Sequence, residues 1–355
     1  MTYDDLENKR KKYRNRIFLS LIITAIIFYF IAINASIIYE SIIEFSIAGI
    51  ILGFVIFVLL TSKPKKEYSK AYKDYIVLRG LKEMFSDLKY IPDKGMPYNI
   101  IADTHMMYMG DIYQSNDFIS GKYKDVTFSQ ADVDIQEERE TTDSDGNTTT
   151  YYVTIFRGRW MIFDFNKEFK ANVQVAQKGF GNNIVKKRRL FSKKDDNSYY
   201  QNVKMESESF NKRFNVYAQS EHEAFYILTP SLMEKIERLD DNNKGKLLLC
   251  FINNRLHIGL YDKKDSFEAP NCLFKIKEEK ELNRTNGDIK VITQFVDELN
   301  LDNTLFKKLS INNEQINQEV QQNNMMNQNS INTQQQVSNE QTSGNQINMN
   351  NQNNI

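Results

Sequence analysis

The sequence predicts an α+β protein. A two-helix transmembrane hairpin at the N-terminus should precede a mostly antiparallel-β cytoplasmic domain with packed helices, and a disordered C-terminal tail should follow it. Three observations lead to this prediction. Residues 17–60 hold two long apolar stretches, the middle of the chain alternates β-prone runs with turn residues, and residues 311–355 are rich in Asn and Gln. Such a tail cannot bury enough apolar surface to offset the entropy of ordering it.

The first elements are a basic cytoplasmic arm, residues 1–16, and two apolar spans at about 17–38 and 42–60. Crossing the hydrocarbon core takes about 20 mostly apolar residues in a helix, and both stretches have that length. The connection is only a few residues long, so the two helices should be antiparallel neighbours. Glu44 lies two residues into the second span, where its carboxylate should reach water at headgroup level rather than form an ion site.

Gly49 and Gly53 form a GxxxG pattern in the second span. Small residues at this spacing allow another helix to approach closely. The partner is either the first span, through Ser20, Thr24 and Ala25, or a second copy of the chain. We favour packing within the chain, and the sequence leaves homo-oligomerisation open.

Basic residues flank both apolar spans, and the connection between them has none. Positive flanks stay on the cytoplasmic side of a membrane. We therefore expect a multi-pass membrane protein with both termini cytoplasmic. A cleaved signal peptide is disfavoured, because the first apolar run is too long and a second follows at once. The flanking residues are Lys9, Arg10, Lys11, Lys12, Arg14 and Arg16 before the first span, and Lys63, Lys65, Lys66, Lys70 and Lys73 after the second.

Composition limits the remaining choices. The 355 residues carry a formal net charge of zero, so no nucleic-acid partner is expected. The soluble part, roughly 245 residues, suffices for one large domain or two small ones. Cys250 and Cys272 belong to no CxxC pair, so we expect free thiols and neither a zinc site nor a redox motif.

A helical linker is predicted at residues 63–90, with Pro64 in its first turn, and the α+β domain at 91–305. Apolar residues recur at helical spacing through the linker, and this stripe should pack on the domain. Turn residues at 91–95 end the helix, and Gly121–Ile135 has the character of a strand.

Polar residues 141–150 separate two β-prone runs and predict a hairpin with Gly146 in its turn. Asp143, Asp145 and Asn147 resemble calcium ligands, but the glycine is misplaced for an EF-hand and no glutamate occupies the twelfth position. A plain turn is the better interpretation.

Farther along, Arg157–Phe165 and Ala171–Ala176 are predicted as two strands joined at Asn166–Lys167, with Trp160 in the core. Val203–Ala218 is expected to return to strand. Two further patterns are clear: a helix at Thr229–Leu239, capped by Thr229, and a hairpin at Gly245–Tyr261 with an Asn253–Asn254 turn. A last helix should begin at Asp288.

A basic segment lies between the predicted strands of the domain. In an exposed loop beside a membrane anchor, such charges could contact anionic lipid headgroups. The alternatives are a solvated loop balanced by Asp195 and Asp196, which we favour, and nucleic acid, for which the aromatic content is thin. The six basic residues are Lys186, Lys187, Arg188, Arg189, Lys193 and Lys194.

Several short segments resemble the bacterial domain-of-unknown-function family 3137. They are Asp164–Phe169, Glu206–Phe210, Phe214–Tyr217, Glu223–Met233, Phe251–Ile258 and Phe267–Glu268. The resemblance covers roughly residues 65–300 and implies a paired membrane anchor followed by this domain, in the inner membrane of a bacterium. It implies no activity and no catalytic residue.

No phosphate loop, nucleophile elbow, HExxH or kinase signature is present, and we predict no cofactor or metal. His105, His222 and His257 are far apart in sequence, and His222 between two glutamates is typical of a solvated turn. Three hypotheses follow: a non-catalytic scaffold with a protein partner at the cytoplasmic face, a sensor of anionic lipid or another signal, and an unrecognised enzyme. We favour the first and regard an enzyme as the least supported.

Overall fold

Two long N-terminal helices precede the sheet domain. The structure, a computed structural model, describes residues 1–34, 42–164, 170–180, 200–299 and 301. Helix α1 spans Tyr3–Ile33, and Thr2 caps it in a reciprocal pair with Asp5. The predicted arm 1–16 is thus the first part of the same helix. Helix α2 spans Ile42–Tyr72, and both helices are long and apolar enough to cross a membrane.

The second helix continues without a break toward the domain. Pro64 lies inside α2 instead of opening a separate linker helix. A proline inside a helix removes one backbone hydrogen bond, and the packing of Tyr68, Ala71 and Tyr72 against the domain core compensates for it. The chain continues into a π-helical turn, Lys73–Val77, and then into helix α3, Leu78–Met84. We call the part of α2 that follows the apolar segment, together with this turn and α3, the stalk. The predicted linker extends to residue 90, but its last part is strand β1.

A single antiparallel sheet forms the domain, in the strand order β1-β2-β3-β4-β9-β8-β5-β7-β6. The predicted α+β class and the mostly antiparallel pairing are confirmed. Strand β4 pairs with β3 and β9, so the predicted strands on either side of Asn166–Lys167 are not sheet neighbours. The strands are β1 Ser86–Ile91, β2 Ile112–Tyr123, β3 Val126–Thr142, β4 Thr148–Asp164, β5 Val173–Gln177, β6 Gln201–Val203, β7 Phe214–Ala218, β8 Lys246–Ile252 and β9 Arg255–Tyr261.

Three tight turns set the register of the longest strand pairs. The predicted hairpins at Gly146 and at Asn253–Asn254 are confirmed, and all three turn residues have positive φ. The prediction of one strand over Gly121–Ile135 is wrong, because the chain reverses at Lys124–Asp125, also at positive φ. Asp is among the non-glycine residues that tolerate this conformation best, and alternation alone did not reveal the turn.

The two faces of the sheet are covered differently. The stalk and the later helices bury one face, around Phe128, Phe251 and Phe295. The other face lies under the segment that contains helix α4, Tyr98–Ala102, and four buried methionines. Trp160 is fully buried on this second face, as predicted.

Four further helices in the described part of the chain lie between or after the later strands: α5 Glu208–Arg213, α6 Glu221–Ile227, α7 Pro230–Asn242 and α8 Glu278–Leu299. The Thr229 cap of α7 is confirmed. The prediction of strand throughout Val203–Ala218 is wrong, since α5 separates β6 from β7.

The predicted start of the last helix at Asp288 is also wrong, because α8 begins at Glu278. Side chains of the stalk stabilise its first turns: Tyr75 Oη donates to Glu278 at 3.0 Å and Tyr72 Oη to Glu281 at 3.2 Å.

Candidate functional site

A buried ion pair joins the stalk to the sheet domain. Lys73 opens the π-helical turn, and its Nζ lies 2.6 Å from Oδ2 of Asp117 and 3.1 Å from Oε1 of Glu268. Asp117 sits at a bulge in β2 with φ of 55°. π-Helical turns and β-bulges both re-aim side chains, and here they bring a lysine and a carboxylate together.

Other polar groups complete this arrangement, which we call the stalk cluster (Lys73, Tyr90, Asn116, Asp117 and Glu268). Tyr90 Oη donates to Asp117 Oδ1 at 2.6 Å, and Asn116 Nδ2 donates to Oδ2 at 2.9 Å. Burial raises the pKa of Asp117 to about 6, although the Lys73 ammonium opposes that shift. The cluster therefore fixes the stalk to the sheet through a carboxylate that is costly to bury.

A second buried carboxylate lies beside the stalk cluster. Asp132 accepts from the backbone N–H of Ser266, and its Oδ1 has no hydrogen-bond partner among the described residues. Burial raises the pKa of Asp132 well above its ordinary value. Carboxylate oxygens of Asp117, Asp132 and Asp265 lie within 4.8 Å of one another, a spacing that could hold a hard cation. Because the Lys73 ammonium already neutralises Asp117, a metal would have to displace it, and we assign the cluster a structural role.

A separate cleft lies where β8 and β9 meet the base of the β3–β4 hairpin. We call it the basic cleft; its volume is about 630 Å³. Phe180 and Tyr261 form an aromatic wall, with ring centroids 5.0 Å apart. The cleft is lined by Arg139, Val153, Thr154, Ile155, Gly179, Phe180, Lys244, Gly245, Lys246, Tyr261, Asp262 and Lys263.

Two lysines of the basic cleft lack a carboxylate partner among the described residues. Within the described part of the chain, Lys244 and Lys246 form no ion pair, and Lys263 places its Nζ 5.9 Å from the centroid of the Tyr261 ring. Asp262, the one acidic side chain in the lining, has its Oδ2 3.7 Å from the Arg159 guanidinium. Among the residues that the structure describes, the cleft lysines thus place positive charge without a paired carboxylate beside an aromatic surface, which suits an anionic group.

The structure places the predicted helix-packing residues between α1 and α2. A Cβ added at Gly53 would lie 2.8 Å from Cγ2 of Thr24, and one at Gly49 would lie 3.0 Å from Cδ1 of Ile31. Both positions therefore face the first helix of the same chain. The predicted lipid-contact residues, Lys186, Lys187, Arg188, Arg189, Lys193 and Lys194, lie outside the described residues, as do the Asn166–Lys167 junction and the tail 311–355.

Asp143 and His257, both singled out from the sequence, have structural partners. Asp143 Oδ1 accepts from the backbone N–H groups of Asp145 and Asn147, which agrees with a plain turn. Trp160 Nε1 donates to Nδ1 of buried His257 at 3.3 Å, and burial lowers the pKa of His257 to about 3. His257 is therefore a neutral core residue.

Perturbed carboxylates are present, but away from the basic cleft. Burial raises the pKa of Asp164 to about 7, and Arg255 Nε lies 3.7 Å from its Oδ1. Neither Asp164 nor Asp117 nor Asp132 lines the basic cleft. The buried carboxylates with raised pKa values and the basic cleft are therefore separate features of the described structure.

Sequence reasoning missed both the stalk cluster and the basic cleft. Lys73 lies among Tyr72, Ile76 and Val77, so a lysine interrupting a buried stripe was the available signal for the stalk cluster. The predicted β8–β9 hairpin brings the cleft lysines together, since Lys246 opens β8 and Lys263 follows β9, but no local pattern places Phe180 against them.

Comparison with known proteins supports the family resemblance. Residues 154–301 match the model of a family described as "Protein of unknown function (DUF3137)". The match confirms the predicted family over a shorter stretch than the predicted 65–300, and it includes Lys244, Lys246 and Lys263 of the basic cleft. The chain matches no curated protein and no solved structure.

Proposed function

Residues 154–301 of this chain belong to the DUF3137 family, and we propose that the protein is a membrane-anchored, non-catalytic interaction module. In this proposal α1 and α2 cross the bacterial inner membrane as a hairpin with both termini in the cytoplasm. The sheet domain then presents the basic cleft to an acidic segment of a protein partner. The basic residues outside both apolar spans support the orientation.

One observation carries the proposal. Lys244 and Lys246 converge on the basic cleft without a carboxylate partner in the described chain, whereas Lys73 and Arg159 pair with carboxylates inside the domain. Uncompensated charge of one sign at a concave surface attracts a partner of the opposite sign. The aromatic wall of Phe180 and Tyr261 adds apolar contact area of the kind found at protein interfaces.

The continuous stalk supports the role of a scaffold. Helix α2 runs from the apolar segment to Tyr72, and Lys73 fixes the next turn to Asp117 in the sheet. A rigid helical connection keeps the cleft at a defined distance and orientation relative to the membrane, and this is useful for assembling partners.

The test is affinity purification of the tagged full-length protein from gently solubilised native membranes, followed by mass spectrometry. We expect a stoichiometric partner with an acidic segment. The double variant Lys244→Glu/Lys246→Glu should reduce its recovery about tenfold, because opposite charges at a close interface contribute more than 1 kcal/mol. The control Lys280→Glu/Lys290→Glu makes the same charge change on the exposed side of α8.

Full recovery of the partner with the cleft variant would refute the cleft as the recognition surface. Recovery of the wild-type protein alone would refute a stable scaffold.

A soluble anionic signal is a second candidate. The basic cleft, at about 630 Å³, falls within the size range of small-molecule sites, roughly 300–1,000 Å³. Phosphorylated metabolites would then raise the melting temperature of the wild-type protein and not that of Lys244→Glu/Lys246→Glu.

The predicted lipid contact of Lys186–Lys194 stays a prediction, testable by neutralising Lys186–Arg189 and measuring binding to anionic liposomes.

A further inference from the structure

A loop of the domain lies along the basic part of α1. We call residues 268–277 the juxtamembrane loop. Tyr3 Oη donates to the carbonyl of Ile276 at 2.8 Å, and the backbone N–H of Ile276 donates to Glu7 Oε1 at 2.9 Å. Arg10 donates to the carbonyl of Cys272. As the loop is followed backward from Ile276 to Cys272, its contacts move along α1 toward the apolar segment.

The other end of the loop reaches the first apolar residue. Cys272 and Leu273 line a cleft of about 440 Å³ together with Tyr13 and Ile17 of α1. From α2, Tyr68 Oη donates to the carbonyl of Pro270 at 3.0 Å. Since the apolar stretch begins at Ile17, Leu273 lies level with the start of the segment that is apolar enough to cross a membrane.

The tip of the loop is apolar and exposed. Phe274 is 74% exposed and Leu273 is 44% exposed. Among the described residues outside the two apolar helices, no other large hydrophobic side chain is as exposed as Phe274. Exposed Lys275 and Lys277 follow this tip, and Arg10 of α1 contacts the loop at the carbonyl of Cys272. Apolar side chains with adjacent lysines at this level match the boundary between acyl chains and anionic headgroups.

We propose that Leu273 and Phe274 insert into the interfacial layer of the bilayer that α1 and α2 cross. The inserted loop is a third point of membrane contact and holds the sheet domain against the surface. Lys275 and Lys277 face the phosphates of anionic lipids. This inference rests on the membrane anchoring in the proposed function.

The test uses tryptophan as a depth reporter in the full-length protein in nanodiscs that contain anionic lipid. Trp160 is the chain's one tryptophan and is fully buried, so the wild-type protein supplies the baseline. In Phe274→Trp, lipids brominated near the headgroup end of the acyl chain should reduce the added emission about twofold or more, because interfacial side chains sit roughly 5–10 Å deep.

Two control variants keep the outcomes separate. Tyr152→Trp, at an exposed position on the β3–β4 hairpin, should show no quenching. Phe54→Trp, within α2 at an exposed position, should be quenched by bromine near the end of the acyl chain.

Quenching of Phe54→Trp without quenching of Phe274→Trp would overturn the inserted loop and leave the anchoring intact. Absence of quenching at both positions would overturn the anchoring, and the inserted loop with it.

Discussion

Lys73 and Asp117 form an ion pair at 2.6 Å that connects the helix leaving the apolar segment to the second strand of the sheet. Both side chains are buried, at 7% exposure for Lys73 and 0% for Asp117, so each charge needs the other as its counter-charge. Together with Tyr90 and Asn116, the pair makes the stalk and the sheet one unit.

The first prediction concerns this ion pair. Lys73→Met should destabilise the domain by about 3–5 kcal/mol, because it leaves the Asp117 carboxylate buried without its counter-charge. Denaturant unfolding of the full-length protein in detergent, followed by Trp160 fluorescence, measures the change.

Lys12→Met is the matched control for the same substitution at the surface. Its ammonium lies 2.8 Å from Glu67 Oε2 with 51% of the lysine side chain exposed, so the loss should stay below about 1 kcal/mol. The double variant Lys73→Met/Asp117→Asn should recover part of the stability. Equal stability of Lys73→Met and Lys12→Met would show that the buried pair is not required.

The second prediction concerns the packing of α1 against α2. A Cβ at position 53 would lie 3.5 Å from Cβ of Thr24, within the range that a disulfide requires, roughly 3.5–4.5 Å. Thr24→Cys/Gly53→Cys should therefore form an intrachain disulfide in membranes under mild oxidation. Non-reducing electrophoresis after a cut engineered between the two spans would reveal it.

Gly53→Cys alone is the control for contact between two copies of the chain. If α2 instead packs on a second copy through Gly49 and Gly53, this single variant should give a covalent dimer. A dimer from Gly53→Cys, together with no intrachain bond in the double variant, would contradict the packing seen here.

The third prediction concerns Asp164, whose pKa burial raises from 3.8 to about 7. The folded state holds a proton that the unfolded state releases, so this contribution to stability is complete below about pH 4 and is lost as the pH rises through about 7. Asp164→Asn should remove this decline between pH 4 and 7. Unfolding curves of variant and wild type across that range should diverge; parallel curves would mean that Asp164 titrates normally.

The fourth prediction concerns His257, whose pKa burial lowers from 6.5 to about 3. In the unfolded state His257 binds a proton that it does not bind in the folded state, so stability is lost as the pH falls below about 6.5 toward 3. His257→Gln keeps an acceptor for Trp160 and cannot titrate, so it should weaken this acid sensitivity. An unchanged pH profile for His257→Gln would show that the imidazole is accessible to protons in the folded protein.

Between about pH 4 and 6.5 the contributions of Asp164 and His257 have opposite signs and partly cancel in the wild-type protein, while Asp117 and Asp132, whose pKa values burial also raises, add contributions of the same sign as Asp164. Only the two single variants, each compared with the wild type, separate them.

Local features of the chain sufficed for a large part of the fold. The apolar length of residues 17–60 predicts two long helices, and the Thr229 cap with Pro230 predicts α7. The Asn253–Asn254 turn gives the β8–β9 hairpin together with its register. In each case the physical cause lies within a few neighbouring residues, so periodicity, capping and turn chemistry are enough to find it.

The tertiary structure decided what depends on residues far apart in the chain. Helix α8 begins ten positions before Asp288, because Tyr72 and Tyr75 of the stalk donate to Glu281 and Glu278. Lys73 can be buried because the bulge in β2, more than forty residues later in the chain, places Asp117 against it. The local β8–β9 hairpin brings the cleft lysines together, but the basic cleft exists only because Phe180 and strand β4, far away in the chain, lie against that hairpin. The sequence by itself determined the local elements, whereas long-range pairing decided where charge is neutralised and where it stays uncompensated.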